Sequence, residues 1–195
     1  EPPDRPVIFN KFPTTVGANG DPVLLPPEST KVDYEAELVV VIGKAGRRIP
    51  RSRAMEHVAG YCVGNDVSAR DWQLETPATQ WLLGKSFDGF APFGPAMTTA
   101  DEIADPGNLS ISLRLNGQTM QESNTSQLIF PIEKLIEYIS SVATLKPGDV
   151  IFTGTPPGVG IARKPPVLLK PGDVTEVEIQ GLGILRNPFV ADEQA

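Results

Sequence analysis

At 195 residues, 40% of them hydrophobic and 21% charged, the chain is long enough for one domain with a substantial core, and its composition is that of an ordinary soluble protein. A formal net charge of −7, with no clustered run of Lys and Arg, argues against a nucleic-acid or anionic-membrane surface. Cys62 is the only cysteine, so an internal disulfide and a Cys-built zinc site are ruled out, and no apolar run approaches the roughly 20 residues of a membrane helix. The expected setting is a reducing compartment, the cytoplasm or else the mitochondrial matrix.

Twenty prolines and eighteen glycines cut the sequence into short apolar runs, the pattern of many strands joined by turns. Strands are expected at about 37–43, 59–65, 109–115, 149–153 and 174–179. The first lies in "VDYEAELVVVIG", residues 32–43. Alternation puts Glu35, Glu37, Val39 and Val41 on one face and Tyr34, Ala36, Leu38, Val40 and Ile42 on the other. Both rows turn apolar, so the strand is expected to be buried on both sides, and two acids go in with it. At ~5 Å and an effective dielectric near 20 their repulsion is about 3 kcal/mol. Water on the wet face of an edge strand, protonation of one acid, or a bound cation can offset it. Val39 and Val41 weigh against the wet face.

Next, Arg47, Arg48, Arg51 and Arg53 fall in a Gly- and Pro-punctuated loop and read as a solvated turn. His57, the only histidine, reads as a surface residue ahead of the next strand, and its solitude removes a His-based zinc site. That strand sits in "GYCVGNDVSARDWQ", residues 60–73, and runs into Asn65-Asp66, after which a short turn of helix is expected. Asp66 reads in two ways. As a helix N-cap it would accept an amide hydrogen bond, with Arg70 as its i to i+4 ion partner. As a residue at the mouth of a strand it adds a third oxygen ligand to Glu35 and Glu37, a set suited to a hard cation such as Mg²⁺ or Mn²⁺.

Lys85 stands inside the apolar "QWLLGKSFDGFAPFGPA", residues 80–96, either snorkelling to water or held as a functional cation. The nearby "GKSFD" lacks the closing Gly of a serine-hydrolase GxSxG elbow. "PIEKLIEYISSV", residues 131–142, is the main helical candidate, with Pro131 at its start and Ile132, Leu135, Ile136 and Ile139 at helical spacing. The tetrapeptide KPGD occurs twice, at 146–149 and 170–173, each time feeding a strand. Last comes "IFTGTPPGVG", residues 151–160, a strand ending in a loop whose backbone amides and Thr155 hydroxyl can hold a carboxylate. It lacks the GK[ST] of a nucleotide loop.

Together with "LKPGDVIFTGTPPGVGIARKPPVLLKPGD" and "GLGILRNPF", these stretches, taken in order from about residue 8 to residue 190, resemble the C-terminal catalytic domain of the fumarylacetoacetate hydrolase superfamily. The resemblance implies an α+β fold, predominantly β, of mixed roll or sandwich type. It implies a Mg²⁺ or Mn²⁺ held by Glu35, Glu37 and Asp66, Lys85 beside the reacting carbonyl, and Arg70, Gln73 and Thr155 on the substrate. The implied substrates are small 2-oxo and 2,4-dioxo acids, and the implied assembly is a homodimer. The family's C–C hydrolases activate water with a His and Glu pair on a lid that lies upstream of this sequence, and His57 does not match it. Three expectations follow: hydrolysis of a C–C bond in an acylpyruvate-type acid, oxaloacetate tautomerisation or decarboxylation by enolate chemistry, and a non-catalytic metal-binding domain. The first is the leading expectation.

Overall fold

Short apolar runs ended by Gly and Pro turns become twelve strands among residues 3–76 and 79–192, which the computed structural model describes. In chain order these are β1 (Val16–Gly17), β2 (Val23–Leu25), β3 (Val32–Asp33), β4 (Ala36–Ile42), β5 (Val58–Asn65), β6 (Ser68–Ala69), β7 (Ala91–Thr99), β8 (Ser110–Leu115), β9 (Gln118–Asn124), β10 (Val150–Phe152), β11 (Val174–Ile179) and β12 (Gly183–Ala191). Two α-helices, α1 (Trp81–Gly84) and α2 (Ile132–Val142), accompany them. One five-stranded sheet has the order β1-β7-β5-β4-β10, a second the order β2-β12-β11-β8-β9, and β3 pairs with β6 as a separate ribbon. The β1–β7 and β2–β12 pairings are parallel and the others antiparallel, so both sheets are mixed. The expected fold class holds.

Strand β4 lies between β5 and β10 and is no edge, which removes the wet-face account of its acids. Its even row, with Tyr34, joins the main core together with Tyr61 and Val63 of β5 and Leu113, Val177 and Leu185 of the second sheet. On the opposite face Val39 is wholly buried. Gly64 makes that possible, because a Cβ there would stand 2.4 Å from Val39 Cγ2 and 2.6 Å from the Phe152 ring. The even row of β4 is therefore enclosed throughout, and the acid-bearing row is enclosed through Val39, with Val41 half-buried.

The two KPGD segments are one turn used twice. Lys146 N donates to Asp149 Oδ2 at 2.7 Å and Lys170 N to Asp173 Oδ2 at 2.8 Å, and the Gly of each, Gly148 at φ 91° and Gly172 at φ 93°, takes the left-handed backbone that follows Pro in such a turn. Helix α2 begins as its spacing predicts, with Pro131 as cap and Ile132, Leu135 and Ile136 buried. It packs on a 3₁₀ turn, Arg51–His57, whose arginines are exposed. His57 departs from expectation: it is buried, with Nδ1 2.9 Å from the Lys44 carbonyl oxygen. The turn rolls it inward beneath Gly46, where a Cβ would collide with its ring. No helix among the described residues is long and apolar enough to cross a membrane.

Candidate active site

The pairing of β4 with β5 sets Ala36 opposite Asn65 and Glu37 opposite Gly64, so the start of one strand meets the end of the other. The Asn65 carboxamide oxygen accepts from Glu35 N at 2.9 Å, and Asp66 N donates to Glu35 O at 2.9 Å. These bonds gather three acids at one end of the sheet. One carboxylate oxygen each from Glu35, Glu37 and Asp66 lies within 4.8 Å of the others, and all three side chains are buried.

Lys85 enters this cluster from the turn that closes α1. Its Nζ donates to Asp66 Oδ2 at 2.6 Å, Ser68 Oγ at 2.7 Å and Glu35 Oε2 at 2.9 Å, while the Phe9 ring covers it at 5.0 Å. At 1% exposure it does not snorkel. Arg70 donates from Nε to Asp33 Oδ2 at 2.9 Å, and from Nη1 to Glu35 Oε1 at 2.7 Å and Gln73 Oε1 at 2.8 Å. Its Nη2 is buried and has no hydrogen-bond partner among the described residues. Gln73 thus orients the guanidinium. From the loop after β10, Gly154 N donates to Glu37 Oε2 at 2.7 Å, and Thr155 Oγ1 accepts from Gln121 Nε2 at 2.8 Å.

The capping expectation for Asp66 fails. Strand β6 follows it, the helical turn comes later at Asp71–Glu75, and Arg70 stands at the cap position. Both Asp66 oxygens go instead to ammonium groups, Oδ2 to Lys85 and Oδ1 to Lys11. The expected Asp66–Arg70 pair is replaced by Arg70 with Asp33 and Glu35. Three contributors lie outside the expected set. Lys11 also donates to the Phe90 carbonyl at 2.6 Å and the Val67 carbonyl at 3.3 Å. Asp33 accepts from Gly160 N at 2.7 Å and Ile161 N at 3.0 Å, tying the Gly/Pro loop to Arg70. Gln121 comes from β9 in the other sheet. Asp33 was discoverable, since it continues the row of Glu35 and Glu37 at two-residue spacing; Lys11 and Gln121 carry no local signal.

The electrostatics separate the acids. Burial pushes Glu37 well above the usual carboxylate range, and the charges of Asp66 and Glu35 add to it. Burial works on Asp66 as well, but Lys11 and Lys85 outweigh it and hold Asp66 below its ordinary value. Burial alone would lower Lys85; Asp66, Glu35 and Glu37 overcome it and keep the side chain an ammonium. An all-oxygen donor set, crowded and buried, fits Mg²⁺ or Mn²⁺ in chemistry and in charge. Since the folded protein raises Glu37, that group's share of the metal-free stability is lost as pH climbs from its ordinary value of 4.5 toward the raised one. A dication and a proton would compete for Glu37. We expect Mn²⁺ binding at neutral pH to release a proton and to tighten as pH rises, checked by calorimetry in buffers of different ionisation enthalpy; the same heat in every buffer would contradict it.

Fold and site define the class of protein: a mixed two-sheet roll with a buried carboxylate triad that could hold a metal ion and a lysine inside it. Residues 1–190 match the sequence profile of the fumarylacetoacetate (FAA) hydrolase C-terminal family, and the chain belongs to that family. It is 55% identical over 188 residues to the mitochondrial oxaloacetate tautomerase of Xenopus laevis and 54% identical over 188 residues to a human mitochondrial oxaloacetate tautomerase, covering 96% of this chain in each case. The chain spans 59–60% of the length of these relatives. Among solved structures it resembles 5-carboxymethyl-2-hydroxymuconate delta-isomerase from Mycobacterium smegmatis (41% identity, TM-score 0.90, covering 98% of this chain and 72% of that one). A fumarylacetoacetate hydrolase from Exiguobacterium antarcticum is similar too (42% identity, TM-score 0.91, covering 95% of this chain and 66% of that one).

Proposed function

We propose that the chain is the catalytic part of a divalent-metal-dependent oxaloacetate tautomerase. The observation that carries this is the buried Glu35, Glu37 and Asp66 cluster with Lys85 hydrogen-bonded inside it, in a chain whose close relatives bear that name. The reading displaces C–C hydrolysis of a 2,4-dioxo acid as the leading expectation. Relatives at 54–55% identity bear the tautomerase name, and forming an enolate at this site calls only for a Lewis acid and a group that stabilises the oxyanion.

Bound at the triad, Mg²⁺ or Mn²⁺ would supply Lewis acidity to a 2-oxo acid and lower the cost of its enolate. The protein's own groups do the rest. Arg70 Nη2, buried and without a partner among the described residues, offers its N–H donors to a substrate carboxylate. Thr155 presents its hydroxyl from the opposite loop. Lys85 Nζ donates a hydrogen bond to the C2 oxygen as it gains negative charge, while the C3 proton passes to solvent water and the C2 oxygen takes a proton from solvent to complete the enol. The relatives' mitochondrial location and the homodimer implied by family likeness belong to the same proposal.

The test follows keto–enol interconversion of oxaloacetate by the ultraviolet absorbance of the enol, with Mn²⁺-loaded protein and with acylpyruvates in parallel. We expect acceleration with oxaloacetate, abolished by EDTA, and no acylpyruvate cleavage. Cleavage with oxaloacetate untouched would restore the hydrolase. No effect on either substrate would leave a metal-binding domain.

A further inference from the structure

Gln121 is among the most deeply buried polar side chains, 1% exposed, and it belongs to the sheet that does not carry the acids. From β9 it crosses to the start of β4, where Oε1 accepts from Ala36 N at 2.9 Å. Ala36 is the residue between Glu35 and Glu37. Its Nε2 donates to Thr155 Oγ1 at 2.8 Å and to the Pro156 carbonyl at 2.7 Å. The two ends of the amide cannot be exchanged: the Ala36 amide can only donate and the Pro156 carbonyl can only accept. Gln121 therefore meets Thr155 as a donor, always. The Thr155 oxygen is left to accept, and the hydroxyl hydrogen is not consumed in that bond.

We propose that Gln121 is a positioning residue that fixes the Thr155 hydroxyl as a hydrogen-bond donor toward a substrate carboxylate, at a set distance from the metal-ligand strand. The inference rests on the 2-oxo acid reading of the site. The loop is held for this purpose on the same strand. Arg163 donates to the Met120 and Gly158 carbonyls, and Gly158, at φ +112°, passes so close that a Cβ would stand 2.4 Å from the Met120 carbonyl oxygen. These contacts fasten the loop to β9. Had the side chain at 121 been an acceptor, the hydroxyl would turn inward to donate to it and be lost to the ligand.

Gln121→Glu makes that reversal at constant shape. The experiment titrates oxalate, the carboxylate-carbonyl core of a 2-oxo acid enolate, into Mn²⁺-loaded protein by calorimetry, with Mn²⁺ stoichiometry measured separately. We expect Gln121→Glu to weaken oxalate about tenfold or more, the worth of one charge-assisted hydrogen bond, with Mn²⁺ still bound one to one. Thr155→Val should weaken it by a similar factor, and the double variant should be no weaker than either single one, because both remove the same donor. A merely structural role for Gln121 would make the two effects multiply, and that result overturns the proposal. If circular dichroism finds Gln121→Glu unfolded, Gln121→Met, which keeps the volume and removes the amide, runs the same cycle with the same expectations. Oxalate that fails to bind wild-type protein sinks the parent reading and this one together. Oxalate that binds wild-type and variant equally overturns this one alone.

Discussion

Glu37→Ala is expected to abolish stoichiometric Mn²⁺ binding and to lower turnover to the level expected in EDTA. Among the described residues the other two acids of the triad have cation partners: Glu35 has Arg70 and Lys85, and Asp66 has Lys85 and Lys11. Glu37 has a single amide, Gly154 N at 2.7 Å. It is the acid whose charge most needs a dication, and a site with three protein carboxylates loses a third of its negative charge with it. No ion partner is stranded by the change, so the metal-free variant keeps its fold, unlike a variant that breaks a buried pair. Thermal melts with and without Mn²⁺ test the distinction: wild-type protein should gain stability with metal by mass action, and Glu37→Ala should not. Retained one-to-one Mn²⁺ in the variant would remove Glu37 from the ligand set.

The contrast between Glu37 and its neighbours also explains what could be read from the sequence. Alternation within β4 was local, and it disclosed both the burial of the acids and their common face. The helix at 132–142 and the paired KPGD turns were equally local. Strands β7 and β12 were hidden by Pro92, Pro95 and Pro188, which read as breakers until the sheet shows where an N–H can be omitted. Strand β9, at the edge of its sheet, has too polar a sequence to declare itself. The misreading of Asp66 has a physical cause. "DVSAR" is compatible with a helix start, but Val32 pairs with Ala69 and Asp33 with Ser68, and this long-range ribbon draws the segment out into β6 before any helical turn forms. Lys11 lies 55 positions from Asp66, and Gln121 lies 85 positions from Ala36. Nothing in the periodicity of either neighbourhood could bring them in.

Lys11 and Lys85 share Asp66, yet their other contacts separate their roles, and this gives the second large effect. Lys11 is fastened to two main-chain carbonyls, Phe90 and Val67, that no ligand will displace. Every acceptor of Lys85 is a side chain: Glu35, Asp66 and Ser68. When a dication takes the carboxylates, Lys85 is the cation free to turn toward the reacting oxygen, and Lys11 stays as the counter-charge of Asp66. Lys85→Met keeps the length and removes the charge. We expect metal to remain bound, with affinity equal to or above wild type because a competing cation has gone, while the rate falls by about 10²- to 10³-fold, as for loss of one preorganised oxyanion donor. The metal-free variant, with Glu35 and Asp66 each short of a partner, loses stability on the order of 3 kcal/mol, and Mn²⁺ restores it, so its melting temperature depends more steeply on metal than that of wild type. A variant at full turnover would show that the enolate is stabilised without Lys85. One that failed to bind Mn²⁺ would show that the lysine holds the site together instead of acting on what enters it.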